Sequence, residues 1–297
     1  MMDSKVIIQS TRVPFLVLTP TCVFLGASTV VVSQLGINLY FLGLAFSGAL
    51  FAHISANTLN EYFDFKSGLD LSTIKTPFSG GSGALPGKPE MVNIVLAVGI
   101  ASLMVTLVIG IFFVWQYGAG IVPLGLIGVA LIIFYSGWIN KYPYLCLIAP
   151  GVGFGFLMVV GTQYVLVGHY LPISWMAAIV PFFMVNNLLL LNQYPDIEAD
   201  SSVGRNHFPI AYGIKRSNMI YAFFILATVV AIIGHIVSGF FPVLSLISII
   251  PVPLALYSLS GAIKHGENIG GHRNYFVANV AVVILMPLLL GISLIYA

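Results

Sequence analysis

Charge is what this sequence has least of. Only 7% of its 297 residues are charged and 59% are hydrophobic, whereas a typical soluble domain is about 25% charged. A chain of this length could not hide so much apolar surface from water, so the solvent it folds in is lipid. A net charge of +2 is too small to attract nucleic acid. Cysteine is also scarce. Cys22 and Cys146 lie in apolar stretches without metal-ligand spacing and read as small hydrophobes. The six histidines form no metal-binding pattern, no Ser/His/Asp order stands out, and there is no Walker-type loop. The first apolar run, after Arg12, ends without a small-residue cleavage site, which predicts a retained helix rather than a signal peptide.

What is present is long hydrophobic runs. A spanning helix needs about 20 apolar residues, and nine such stretches are predicted: 13–33, 37–59, 91–114, 117–138, 145–167, 172–194, 218–238, 240–263 and 274–296. They predict an all-α polytopic membrane protein, a single domain over 1–297. All eleven Lys and Arg residues lie at the N-terminus or in the longer loops, and none lies in the loops near Gly36, Trp115, His169 and Gly239. Basic residues favour cytoplasmic loops. The expected N-terminus is therefore cytoplasmic and the C-terminus outside, which an odd number of spans also requires.

Of nine acidic residues, six fall in two segments, Asn60 to Asp70 and Asn192 to Asp200. They sit at the cytoplasmic ends of the second and sixth predicted helices, and each begins Asn-x3-Asp, a weak internal repeat. Residues four apart share a helix face. Asn60 should then lie beside Asp64, and Asn192, Asp196 and Asp200 should form one stripe. Crowded carboxylates raise one another's pKa; a divalent cation relieves the conflict. Magnesium is typically held by one or two carboxylates together with waters and substrate phosphates. Two facing clusters thus read as a cradle for Mg²⁺ and a diphosphate, with Asp64, Asp70, Asp196 and Asp200 as the metal ligands. A lone Asp would read more simply as a solvated helix end; paired clusters in a chain this poor in acids do not. Glu198 points to another face and reads as a bystander, Glu61 could approach a second metal, and Asp70, after Gly68, belongs to a loop able to fold back toward Asp64.

Lys75 to Pro86 follows the first cluster. Its run Thr76-Pro77-Phe78-Ser79-Gly80-Gly81-Ser82-Gly83 reads as a functional lid whose backbone N–H groups can receive phosphate oxygens, the alternative being a flexible linker. Arg205, then Lys66, are the best candidates to neutralise diphosphate charge, with Lys75 and Lys141 also at this face. The remaining basic residues are left to topology and lipid headgroups. Tyr62 and Tyr194, with Phe63, Phe65 and Tyr135, could stabilise an allylic cation or serve as interfacial belt residues.

The chain resembles the UbiA superfamily of intramembrane prenyltransferases, and within it the 1,4-dihydroxy-2-naphthoate polyprenyltransferase branch. The resemblance rests on Asn60 to Asp70, Thr76 to Leu85, Asn192 to Arg205, and Gly153 to Thr162. It implies a nine-helix bundle around a central cavity with a cytoplasmic polar cap. Mg²⁺ would be the cofactor, and the partners a prenyl diphosphate and a hydrophobic acceptor in the bilayer. It further implies catalytic Asp64, Asp70, Asp196, Asp200 and Arg205, with Asn60, Asn192, Lys66, Lys75, Ser79, Lys141, Tyr62 and Tyr194 binding substrate. The host would be a bacterial or archaeal cell membrane.

Departures from the family pattern bear on the acceptor. The first motif is Asp-x5-Asp, as in the naphthoate branch; His207 stands where that branch has Thr; and Tyr144 to Pro150 lacks the acid usual early in helix five. The expected reaction is prenyl transfer to an aromatic, quinone-precursor-like acceptor. A terpene cyclase or a non-aromatic acceptor is the alternative. A cation transporter would need acids at mid-bilayer, where this sequence has none. The oligomeric state is left open.

Overall fold

The computed structural model describes residues 2–73, 75–76 and 79–296. Every regular element among them is helical. Lipid offers no partner for backbone N–H and C=O groups, so long apolar runs must satisfy these groups within themselves.

In chain order the helices are α1 (Met2–Ser10), α2 (Leu18–Val32), α3 (Leu39–Lys66), α4 (Leu69–Ser72), α5 (Ala84–Gly87), α6 (Val92–Tyr117) and α7 (Val122–Phe134). They continue with α8 (Pro143–Gly151), α9 (Gly161–Val167), α10 (Pro172–Asn192), α11 (Ile197–Ser202), α12 (Phe208–Val237), α13 (Val252–His265) and α14 (Arg273–Ile295). A nine-residue π-helix, Val152–Val160, joins α8 to α9 without a break. Among the described residues, eight helical stretches are long and apolar enough to cross a membrane. The fourth predicted stretch, 117–138, is the exception. Gly118 (φ 80) breaks it from α6, and its helical part, Ala119–Phe134, reaches roughly 24 Å at 1.5 Å per residue, short of the ~30 Å hydrocarbon layer.

Small residues set the helix seams. A Cβ on Gly291 of α14 would lie 2.7 Å from the Phe24 ring of α2, and one on Gly26 would lie 2.5 Å from the Val159 carbonyl. Only glycine lets these backbones approach so closely. Polar side chains fasten the centre of the bundle. Asn187 Nδ2 donates to the Tyr221 carbonyl (3.0 Å), and Tyr221 Oη donates to Asn279 Oδ1 (2.7 Å). The backbone N–H of Gly151 donates to Asn186 Oδ1 (2.6 Å), just where Pro150 and the π-helix disturb the regular ladder. This seam holds one wall of the central cavity against α10.

Candidate active site

A cavity of about 640 Å³ runs between α3, α6, α7, the α8–π-helix segment and α10. Small and apolar side chains line most of it, and the charged groups gather at one end. α3 brings Asn60 and Asp64 to this end on successive turns; Asn60 Nδ2 donates to Ser136 Oγ at 2.8 Å. The second segment is built differently. α10 stops at Asn192, Pro195 interrupts the chain, and Asp196 (φ −101, ψ 3) opens α11. The continuous helical stripe expected for Asn192, Asp196 and Asp200 is therefore absent. All three nonetheless line the cavity, because the turn carries α11 back across the mouth.

Arg205 closes the two segments onto each other. Gly204, in the left-handed region at φ 80, ends α11 as a C-terminal glycine commonly does. It turns Arg205 inward, where Nη1 donates to Asp200 Oδ1 (3.0 Å) and Nη2 to Asp64 Oδ1. His207, buried, lies 2.9 Å from the other Asp200 oxygen through Nε2. The glycine-rich loop is tied to both segments as well. Gly80 N–H donates to Asp196 Oδ2 at 3.0 Å, and Ser82 donates its N–H (3.2 Å) and its hydroxyl to Glu61. Gly81 (φ 72) lies directly over Asp70, where a Cβ would sit 2.5 Å from Oδ1. Glu61 also receives Arg12 Nη2 at 3.4 Å. Its place is thus to anchor the loop and the N-terminal segment, and it is absent from the cavity wall.

Several buried polar atoms at this end have no protein partner: Asp70 Oδ2, Asp196 Oδ1, Asn192 Oδ1 and Arg12 Nε. Burial, then the nearby Glu61 and Asp64 charges, pushes the Asp70 carboxyl up to about 7. Burial, then Asp200, pushes Asp196 up to about 7, although Gly80 N–H and Arg205 pull the other way. Both groups are short of positive charge. Among the described residues no three His, Cys, Asp or Glu side chains converge as a ready-made metal cage, so the four aspartates are not gathered as one ligand set: Arg205 stands between Asp64 and Asp200. The orphaned oxygens of Asp196 and Asn192, both in the cavity wall, nevertheless fit as donors to a magnesium ion. It takes one or two carboxylates and completes its shell with water and phosphate oxygens.

Of the residues singled out from sequence, Asn60, Asp64, Ser79, Asn192, Asp196, Asp200 and Arg205 line the cavity. Asp70, Lys66, Tyr62, Lys75, Lys141 and Tyr194 do not, Asp70 lying behind Gly81 of the loop. Lys66 and Tyr62 are each two residues from Asp64 and so face away from it; the exposed Lys66 ammonium instead lies 5.9 Å from the Tyr62 ring. Lys75 is exposed and its ammonium lies across Gly83, and Lys141 is exposed at the end of a 3-10 turn. Tyr194 is fully buried in the helix core and donates to Asn218 Oδ1 at 2.8 Å. Pro77 and Phe78 lie outside the described residues. Glu198 is exposed.

Two features do not follow from the sequence pattern: the approach of Arg12 and the meeting of Tyr135 with Cys146 and Gln193. Arg12 lines the cavity from a left-handed turn (φ 51) after α1, a conformation that residue type does not announce. Tyr135, Cys146 and Gln193 form a neutral polar corner, with Gln193 Nε2 donating to Cys146 Sγ at 3.4 Å and Tyr135 Oη 4.0 Å from the same sulfur. No spacing rule joins residues from three separate helices.

Residues 17–280 match the UbiA prenyltransferase family. The chain belongs to that family. This prenyltransferase is 25% identical over 237 residues to the 1,4-dihydroxy-2-naphthoate octaprenyltransferase of Bacillus subtilis (strain 168), covering 76% of this chain and 72% of that one. Its fold is shared with a UbiA homologue from Archaeoglobus fulgidus bound to DMAPP and Mg²⁺ (TM-score 0.67, 15% identity, 98% and 99% of the two chains). The apo UbiA homologue of Aeropyrum pernix K1 has the same fold (TM-score 0.68, 15% identity, 95% and 98%), as does a digeranylgeranylglyceryl phosphate synthase structure (TM-score 0.68, 18% identity, 100% of both chains). The resemblance carried by the two aspartate segments and the glycine-rich loop is thus borne out at the level of family, fold and enzyme class. The protein is an integral membrane prenyltransferase.

Proposed function

We propose that this enzyme transfers a prenyl group from a prenyl diphosphate to an aromatic, dihydroxynaphthoate-like acceptor in a Mg²⁺-dependent reaction within the membrane. One observation carries the reading. Two aspartate segments far apart in sequence meet at the polar end of an apolar cavity, joined by Arg205 and by Gly80 of the loop. Such a cavity sorts a prenyl diphosphate by polarity, with the tail among apolar walls and the charged head among donors.

Bound Mg²⁺ would neutralise charge on the departing diphosphate, held by Asp196 and Asn192 through the oxygens left without partners. Arg205, fixed between two carboxylates, and Arg12, with its free Nε, offer donors to phosphate oxygens; such prearranged donors are usually the largest contribution to this kind of catalysis. Gly80, Gly81 and Ser82 keep the loop over the head group. The allylic C–O bond breaks and the diphosphate keeps the electron pair. The Tyr135 and Phe154 rings in the wall stabilise the resulting cation. A ring carbon of the acceptor attacks, and the ring regains aromaticity by losing that carbon's proton to the released diphosphate. The basic loops favour a cytoplasmic position for this end, and the host on this reading is a bacterial or archaeal membrane.

A second reading, a cyclase or a non-aromatic acceptor, draws on the neutral Tyr135–Cys146–Gln193 corner, which offers no acid. Membranes containing the enzyme, supplied with Mg²⁺, geranyl to longer prenyl diphosphates and 1,4-dihydroxy-2-naphthoate, should yield the prenylated ring by mass spectrometry. A hydrocarbon or alcohol formed from the diphosphate alone would replace the first reading with the second.

A further inference from the structure

Away from the charged end, one nitrogen in the cavity wall is left unused. His53, on α3, is 6% exposed and lines the cavity. Its Nδ1 lies 2.9 Å from Thr19 Oγ1 of α2, and its ring is T-shaped to that of Phe154 on the π-helix, with centroids 4.8 Å apart. Among the described residues Nε2 has no hydrogen-bond partner. The fully buried Thr19 hydroxyl has no other acceptor, so its proton goes to Nδ1. A neutral imidazole carries one N–H, and with Nδ1 accepting, that N–H is on Nε2. The wall thus holds a fixed donor without a partner, and such a group is costly to bury. Thr19 does not require the ring. A helical threonine can bond its own backbone, as Thr21 does to the Val17 carbonyl at 3.0 Å. A histidine oriented by one nitrogen, with the other idle, is arranged for a ligand.

His53 stands seven residues before Asn60, two turns along the same face of α3 and roughly 10 Å deeper. Ala49, Ala52 and Ala56 line the cavity beside it, and their small side chains leave room for a flat ring. We propose that His53 holds the aromatic acceptor, its Nε2–H donating to the oxygen of a ring hydroxyl. The inference rests on the aromatic-acceptor reading above and deepens it. A hydroxyl suits this place better than the acceptor's carboxylate. The arginines in the cavity wall, Arg12 and Arg205, are committed to Glu61, Asp64 and Asp200. An anion beside one neutral donor would stay largely uncompensated, whereas a hydroxyl oxygen is satisfied by a single N–H. With the diphosphate at the aspartate end, a ring gripped two turns deeper lies alongside the first isoprene unit. Holding it by one hydroxyl limits its rotation in the cavity, and so selects which ring carbon faces the allylic carbon.

The test uses the full chain in lipid nanodiscs with Mg²⁺, measuring binding of geranyl diphosphate and of two probes that differ by one hydroxyl, 1-hydroxy-2-naphthoate and 2-naphthoate. Wild type should bind the hydroxylated probe about five- to tenfold tighter. His53→Phe should bind both naphthoates alike, while geranyl diphosphate stays within about twofold and reports that the variant is folded. His53→Gln, which keeps an N–H donor, should recover most of the preference. Thr19→Val, which releases Nδ1, should reduce the preference about threefold. In turnover, His53→Phe should raise the KM for 1,4-dihydroxy-2-naphthoate about five- to tenfold and leave that for geranyl diphosphate unchanged. A His53→Phe variant that keeps the preference for the hydroxylated ring overturns the assignment, as does one that weakens all three ligands equally. Wild type that binds geranyl diphosphate but neither naphthoate removes the aromatic-acceptor reading, and the role of His53 with it.

Discussion

The two Asn-x3-Asp segments look alike in sequence and are built on different backbones. Asn60 and Asp64 sit on an unbroken helix, α3, so their relative placement is as rigid as the helix itself. Asn192 and Asp196 straddle a break at Pro195, and Asp196 belongs to the start of α11. The first segment therefore offers a fixed surface and the second a jointed one, and the ties between them run to the jointed side. Arg205 and Gly80 both bind it, through Asp200 and Asp196. Equal spacing in sequence does not mean equal geometry. What makes the segments one site is the set of donors between them.

The comparison breaks most visibly when either side loses its carboxylate. Asp64→Ala or Asp196→Ala should each lower turnover by about 10²–10³-fold or more, with folded protein retained as judged by elution from size exclusion in detergent. A near-normal rate in either would remove that segment from the chemistry. Arg205→Lys tests the bridge. It keeps the charge but loses the planar fork that reaches two carboxylates at once, and kcat should drop about 10- to 100-fold. The loop is a finer probe. Gly81→Ala places a methyl group against Asp70 and strains a left-handed residue, so the KM for prenyl diphosphate should rise about tenfold; Gly87→Ala, with open space around it, should leave it unchanged. Smallest of all, Lys66→Ala and Lys141→Ala should stay within about twofold, because both are exposed and outside the cavity.

Much of this was legible in the residues. Apolar runs reveal spans because lipid leaves the chain few other solutions, and scarce acids reveal a site because burying them without a purpose is costly. Asn60, Asp64, Asn192, Asp196 and Asp200 stand out on that ground, and the fold brings all five to one cavity. Lys66 and Tyr62 are near Asp64 in sequence but not on its face, since two residues along a helix turn the side chain away. Tyr194 is drawn into the core because the helix stops at Asn192 and the next residues turn inward. Arg12 could not be found from pattern: its approach depends on a left-handed backbone turn and on Glu61, 49 positions away.

The central claim is that the two segments grip one head group together, and binding energetics test it most directly. Mg²⁺-dependent binding of geranyl diphosphate would be measured by calorimetry for wild type, Asp64→Asn, Asp196→Asn and the double variant. Joint action predicts strong coupling, the double variant binding scarcely worse than the weaker single one. Losses that simply add would mean that the segments act independently, and would contradict the account.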